Sequence, residues 1–331
     1  MRFALMIEAQ QGLSYEDQLG IARRAEAAGF ETLFRSDHYA SFPGDSDQVT
    51  TDAWAVIAGL ARETSTIGLG TLVSPVTFRH PGNFAKLVTT VDHMSGGRLE
   101  IGVGAGWNEA DHLPYGLPFP PIDERADLLE DQLEVLLGLW TEPDGWSYDG
   151  HQVRVLGAAL HPRAVDVPGR PRGRDGRSPS GPARPRILVG GQGTPRGFRL
   201  AARYADEFNL SSASAASAAT KLAELDAACR AAGRDPSTIA RSAMVGALVG
   251  ATQADVDRRT TDVMQALGAS GDARAWFRER RNRWIFGTPD EARATIQGYA
   301  DVGIERIMLQ DFLPRDGEMI DLMGEELIGR I

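Results

Sequence analysis

Eight short apolar runs recur along the chain, most of them followed by a stretch of helical periodicity, and this alternation restricts the fold more than any other feature. The runs cover residues 3–7, 32–34, 67–73, 99–103, 187–189, 208–210, 243–249 and 306–309. Repeated strand–helix units imply a parallel sheet, because parallel neighbours need a crossover and a helix supplies it. The helical stretches carry clear stripes: Phe84, Leu87, Val88, Val91 and Met94 share one face, as do Leu129, Leu133, Leu136, Leu137 and Trp140. Thr288-Pro289-Asp290-Glu291 reads as a helix start in which Thr caps, Pro sets the first turn and Glu reaches back. A helix–glycine–strand junction occurs at 26–38 and again at 300–312, with Gly29 and Gly303 suited to the left-handed turn that ends a helix. Eight such units within 331 residues fit one α/β domain over 1–331, a (β/α)8 TIM barrel. Residues 141–186 form an insertion between strands 4 and 5. It opens with a hairpin signal at Asp149-Gly150 and continues into a Pro/Gly-rich stretch carrying Arg163, Arg170, Arg172, Arg174, Arg177, Arg184 and Arg186. That stretch reads either as a solvated, flexible loop or as a lid that attracts a phosphate or carboxylate.

A formal charge of −10 argues against a nucleic-acid partner, which would call for a basic stripe. No run approaches the length of a membrane helix, and the opening MRFALMIEAQ does not resemble a signal peptide, so the expectation is a cytoplasmic protein with no membrane partner. Cys229 stands alone, which excludes an internal disulfide, and it reads as a small buried hydrophobe. Neither metal-ligand spacing nor a GxSxG elbow is present, so no metal and no serine nucleophile are expected.

Ligands of a (β/α)8 barrel bind where the strands end, since side chains converge there and the following loops vary freely. Strand one delivers Glu8 and Gln10, and strand two delivers Ser36, Asp37 and His38. His38 can exchange a proton near neutral pH, with an adjacent or facing carboxylate to fix its tautomer. Gly102-Val103-Gly104-Ala105-Gly106 lacks the final glycine of a dinucleotide fingerprint and reads instead as a strand end where a planar ligand approaches the backbone. After strand five, Gly190, Gly191, Gln192 and Gly193 lead into Thr194-Pro195, a turn whose N–H groups and helix start can hold a phosphate, with Arg196 and Arg199 adding charge. His93, His151 and His161 read as structural or solvated.

The segments FRSDHY, GLGTLVSPVTFRHP, GGRLEIGVGAGWNEAD, RILVGGQGTPRGFRLAARYADEFN and GTPDEARATIQGYADVGIERIML resemble successive landmarks of the luciferase-like monooxygenase superfamily, and most closely its F420-dependent oxidoreductase branch. The resemblance implies an enzyme on a (β/α)8 barrel that transfers hydride between the deazaflavin coenzyme F420 and a small organic molecule. It implies FMN as the alternative cofactor, in a monooxygenase served by a separate flavin reductase, and a non-catalytic flavin-binding protein as a third reading. It further implies a homodimer. By motif, Thr71, Leu72 and Val73 form a bulge against the ring with a cis peptide at Leu72–Val73. Asp37 lies near the ring, Ala105, Gly106 and Asn108 line it, and residues Gly190 to Thr194 hold the phosphate. His38 matches the histidine that moves a proton in the sugar-phosphate dehydrogenases of this branch. Those enzymes carry glutamate where this chain has Trp107, so here Trp107, with Glu8, is expected to shape a substrate pocket of different character.

Overall fold

The computed structural model describes residues 1–43 and 47–331. Its strands are β1 (Arg2–Ile7), β2 (Thr32–Arg35), β3 (Gly68–Pro75), β4 (Leu99–Gly104), β5 (Trp146–Asp149), β6 (Arg154–Ala158), β7 (Arg186–Gly191), β8 (Glu207–Ser211), β9 (Ala240–Val249), β10 (Trp284–Gly287) and β11 (Arg306–Asp311). The helices are α1 (Tyr15–Ala27), α2 (Ala53–Glu63), α3 (Pro81–Ser95), α4 (Ile122–Thr141), α5 (Pro195–Tyr204), α6 (Ala215–Ala231), α7 (Gln253–Ala266), α8 (Ala273–Arg278), α9 (Pro289–Asp301) and α10 (Gly317–Leu327). β1, β2, β3, β4, β7, β8, β9 and β11 pair in parallel in that order, and β11 returns to β1, so the sheet closes as a barrel. These eight strands coincide with the eight apolar runs, with only Ile67 of the third run falling just outside its strand. One strand was not anticipated: β10, only four residues long, pairs with the C-terminal half of β9 and sets Trp284 opposite Gly246. The Trp284 ring fills the space a Cβ on Gly246 would need, 2.6 Å away.

Local rules account for the helix boundaries. Thr288 and Glu291 form the capping box, the Glu291 carboxylate accepting from the Thr288 N–H at 2.9 Å. Gly29 and Gly303 take φ of 86° and 92°, the left-handed geometry their positions require. Residues pointing outward from the barrel pack with the helix stripes into one large core that includes Cys229. Residues pointing inward form a smaller plug of Ala4, Met6, Phe34, Leu72, Leu188 and Met308, so the barrel is solid below its mouth. The foot is sealed by charge. Arg306, fully buried, donates to Glu100 at 2.8 Å and to the Thr32 hydroxyl at 2.7 Å, with Glu207 at 3.3 Å. Burial works against the Glu100 charge, but Arg306 beside it holds the carboxyl down to about 2.

The insertion proves to be neither a free loop nor a lid. It connects the end of α4 to the start of β7, and a helix-to-strand connection opens at the foot of the barrel, away from the ligand-binding end. β5 and β6 form the expected hairpin. Beyond it the arginines fasten the segment to the foot. Arg184 grips Asp206, just before β8, in a buried bidentate pair at 2.6 and 2.8 Å, and Arg170 grips Asp92 of α3 at 2.7 and 2.7 Å. Arg174 reaches Glu134 of α4, and Arg163 donates to the Leu139 carbonyl of α4 at 3.0 Å while pairing with Asp144 inside the segment. Arginine here serves as cross-brace, and the positive charge does not face the mouth.

Candidate active site

The mouth is built from the strand ends upward, and β2 contributes its most reactive group. Immediately beyond β2, the His38 ring meets the carboxylate of Asp111, which sits in a single 3-10 turn (Glu109–Asp111) beyond β4. Nδ1 of His38 lies 2.6 Å from Asp111 Oδ2. The other oxygen, Oδ1, accepts the backbone N–H groups of Tyr39 at 2.9 Å and Ala40 at 2.7 Å, while Asn108 Nδ2 donates to Oδ2 at 3.0 Å. Burial opposes the Asp111 charge, but the His38 hydrogen bond and the two backbone donors outweigh it and hold the carboxyl below its ordinary value. An ionised carboxylate only accepts, so His38 Nδ1 carries the proton. Nε2 is then the ring's free basic nitrogen, with no hydrogen-bond partner among the described residues. Phe42 and Trp107 box the imidazole, edge-on, with centroids 4.6 and 5.8 Å away. Asp111 was not singled out from the sequence, although its motif was; nothing in spacing alone pairs residues so far apart.

Asp37 points into a different network. Its Oδ2 accepts from Arg79 Nη1 at 2.6 Å and from the Ser74 hydroxyl at 2.7 Å. Ser74 in turn accepts the Trp54 indole N–H at 2.9 Å. Arg79 continues to Asp52 at 2.6 Å, and Asp52 caps α2 while accepting from the Tyr39 hydroxyl. Burial disfavours the Arg79 cation, yet Asp37 and Asp52 more than offset this and raise its pKa. Asp37 therefore ties β2 to the end of β3, where the Leu72–Val73 peptide is cis and the β3–β4 register shifts between Thr71 and Ser74. The bulge needs glycines around it. A Cβ on Gly102 would lie 2.3 Å from the Thr71 carbonyl oxygen, one on Gly104 2.8 Å from Val73 Cγ2, and one on Gly190 2.7 Å from Val73 Cγ1. The glycines of 102–104 thus make room for the bulge itself, which corrects the expectation that they leave the backbone open to a ligand. Thr71 is fully buried, its hydroxyl donating to the Gly102 carbonyl at 3.3 Å, and Leu72 belongs to the plug.

Ala105 and Gly106 follow β4, Gly106 with φ of 79°. Gly190 and Gly191 end β7, Gln192 is exposed, and Gly193 turns with φ of 73° into α5, whose N-cap is Thr194. The backbone N–H groups of Gln192, Gly193 and Thr194 have no acceptor among the described residues, and a Cβ on Gly191 would meet nothing. Open space and unspent donors coincide there, as an anion cradle needs. Arg196 does not join it, because it pairs with Asp127 of α4, whereas Lys221, which sequence reasoning passed over, caps the Gly193 carbonyl at 3.0 Å. Glu8 lies at the floor of the mouth, accepting from Gln10 at 3.0 Å and Gln310 at 2.5 Å. Trp107 stands at the rim, 68% exposed. The structure brings Glu8, His38, Trp107 and the β3 bulge to one end of the barrel, together with the 190–194 turn. It leaves His93 and His161 bonded at the foot segment, to the Arg163 carbonyl and to Asp144. Among the described residues no helix is long and apolar enough to cross a membrane.

Comparison with known proteins places this architecture. The model of the luciferase-like monooxygenase family matches residues 1–306. An uncharacterised protein of Mycobacterium tuberculosis is 32% identical over 200 residues, which is 56% of this chain and 64% of that protein, so the match spans somewhat under two-thirds of the relative. An F420-dependent glucose-6-phosphate dehydrogenase of Nakamurella multipartita is 27% identical across 100% of this chain and 96% of its own. Among solved structures, an F420-dependent secondary alcohol dehydrogenase in complex with an F420–acetone adduct superposes with a TM-score of 0.79, covering 98% of both chains at 20% identity, a likeness of fold. The closed parallel barrel and the family match over nearly all of its length agree: the chain belongs to the luciferase-like monooxygenase family.

Proposed function

We propose that the chain is an F420-dependent oxidoreductase acting on an alcohol or carbonyl compound, with His38 as the group that moves the substrate proton. The observation that carries this reading is the His38–Asp111 pair at 2.6 Å, which fixes the ring with Nε2 as its free basic nitrogen. The residues fit a deazaflavin: the glycine-cleared β3 bulge offers a surface at the mouth, and the 190–194 turn offers N–H donors and open space for a phosphate. Ala105, Gly106 and Asn108 border the same opening. When bound, the cofactor supplies two-electron hydride chemistry. The protein's part is to orient, to exclude water and to hold a proton acceptor: His38 Nε2 takes the hydroxyl proton in oxidation or returns it in reduction. Asp111 holds the proton of the neutral ring on Nδ1, which leaves Nε2 as the accepting nitrogen, and stabilises the imidazolium once formed. We treat 1–331 as one domain with 141–186 as an excursion within it, and a cytoplasmic homodimer as the setting the family likeness favours. Relatives with F420 in their names span this chain end to end, which favours F420 over FMN.

The test is His38→Asn. Affinity for F420 should stay within about twofold of wild type while turnover falls about 10²–10⁴-fold, the range for losing a positioned base. Loss of cofactor binding with the chemistry intact would overturn the assignment.

A further inference from the structure

The substrate's character is written on the rim. Trp107 and Leu113 are 68% and 69% exposed and Tyr115 is 58% exposed, a concentration of large apolar groups that proteins seldom leave in water without use. Trp107 is continuous with the reactive group, since it packs on Phe42 at 5.3 Å and both ring the His38 imidazole. The cluster is also rigid. Tyr115 leans on Tyr39 at 5.1 Å, and Tyr39 stacks on Phe78 at 4.5 Å and 6°. A second aromatic wall, Trp284 stacked on Phe312 at 5.2 Å, stands over the glycine-cleared position of Gly246.

Charge excludes the alternative. Arg79 is held between Asp37 and Asp52, and Arg35 donates only to Ser36 and Thr51, so neither is free to grip a phosphate or carboxylate on a substrate. Glu8 and Asp111 add negative charge at the same end of the barrel. An anionic substrate would meet that negative charge, and the unspent N–H groups of residues 192–194 are the ones assigned to the cofactor's phosphate.

We propose that this mouth takes an uncharged alcohol or ketone with an extended apolar body, its carbinol carbon beside His38 and its tail lying on Trp107, Leu113 and Tyr115. The proposal rests on reading the mouth as a redox site. In the oxidative direction the hydroxyl proton passes to His38 Nε2, the carbinol hydrogen leaves as hydride with two electrons to the oxidised deazaflavin, and the C–O bond becomes a carbonyl; reduction reverses each transfer.

Calorimetric titration of the full chain, with and without F420, against the 2-alkanones from butanone to dodecanone and against glucose 6-phosphate tests it. Affinity should rise about threefold per added methylene in at least one of the two states, a little under the full burial of a CH₂. Trp107→Gln with Leu113→Gln should flatten that slope while the melting temperature holds, because both side chains are exposed. A flat series overturns the proposal, as does tighter binding of glucose 6-phosphate or a slope indifferent to the double variant. Adhesion to neutral phosphatidylcholine vesicles that the double variant abolishes, without ketone binding, also overturns it and assigns the rim to a lipid surface. The two readings fail separately. Chain-length-dependent ketone binding without F420 binding sinks the proposed function alone, and F420-linked turnover of polar substrates only sinks this inference alone.

Discussion

Replacing Asp111 by asparagine tests the proton-transfer account at its most exposed joint. The two backbone donors, Tyr39 and Ala40, are fixed by the chain and require an acceptor, so the carbonyl oxygen of the introduced amide must take the Oδ1 position. The amide nitrogen then faces His38 Nδ1 at the present 2.6 Å separation. Two donors cannot share that contact. Nδ1 must become an acceptor, the ring proton moves to Nε2, and the nitrogen that should receive the substrate proton is blocked. Losing a correctly poised base costs about 10²–10⁴-fold, or roughly 3–5 kcal/mol in the barrier. Stopped-flow loss of the deazaflavin absorbance at saturating substrate reads the rate, cofactor titration reads binding, and thermal melting reads the fold. The expected pattern is a rate drop of that size, cofactor affinity within about twofold, and a melting temperature lowered by a few degrees. An Asp111→Asn variant that turns over within threefold of wild type would refute the reasoning. A rate loss matched by loss of cofactor binding would make Asp111 a brace for residues 39–40 only.

Three other perturbations follow from the packing. Asp311 is fully buried with Oδ2 unpartnered, and burial pushes its carboxyl from 3.8 up to about 7. The folded state therefore holds a proton that the unfolded state releases, and stability falls as pH rises from about 4 to 7, by of order 4 kcal/mol. Asp311→Asn should melt higher than wild type at pH 8 with the gap closing toward pH 4; an equal gap at both pH values contradicts this. Arg184→Met leaves Asp206 buried without its cation and should cost about 3–5 kcal/mol in denaturant unfolding. Because the brace lies at the foot, its cofactor affinity should be unchanged, and a large affinity loss would return the segment to the mouth. Gly102→Ala puts a methyl 2.3 Å from the Thr71 carbonyl, so β3 must shift, with an expected loss of about 1–3 kcal/mol and weakened cofactor binding. Unaltered binding would show that the bulge does not shape the cofactor surface.

Much of the barrel was legible because its signals are local. Periodicity places each of the eight barrel strands within a few residues and gives the buried faces of α3 and α4, and caps such as Thr288 and glycines such as Gly303 mark boundaries. β10 escaped because Trp-Ile-Phe-Gly is a short run between an arginine-rich turn and a helix cap, and its pairing with β9 is a tertiary fact. Composition left the arginine-rich segment open between a solvated loop and a lid, but the segment follows a helix and precedes a strand, which already puts it at the foot. At the site, His38 and the 190–194 turn are readable from their positions at strand ends. The partners that define them are not. Asp111 lies in a turn beyond another strand, and the chain Asp37–Arg79–Asp52 links three segments whose proximity exists only in the closed barrel. Sequence names the charges; only the fold decides which ones meet.

The central claim, that this mouth holds a deazaflavin, is tested most directly by equilibrium titration of the full chain with F420 and with FMN. Saturable, one-to-one F420 binding at least tenfold tighter than FMN, weakened by Gly191→Asp in the 190–194 turn, is the result the account predicts. Tight FMN binding with no binding of F420 would contradict it.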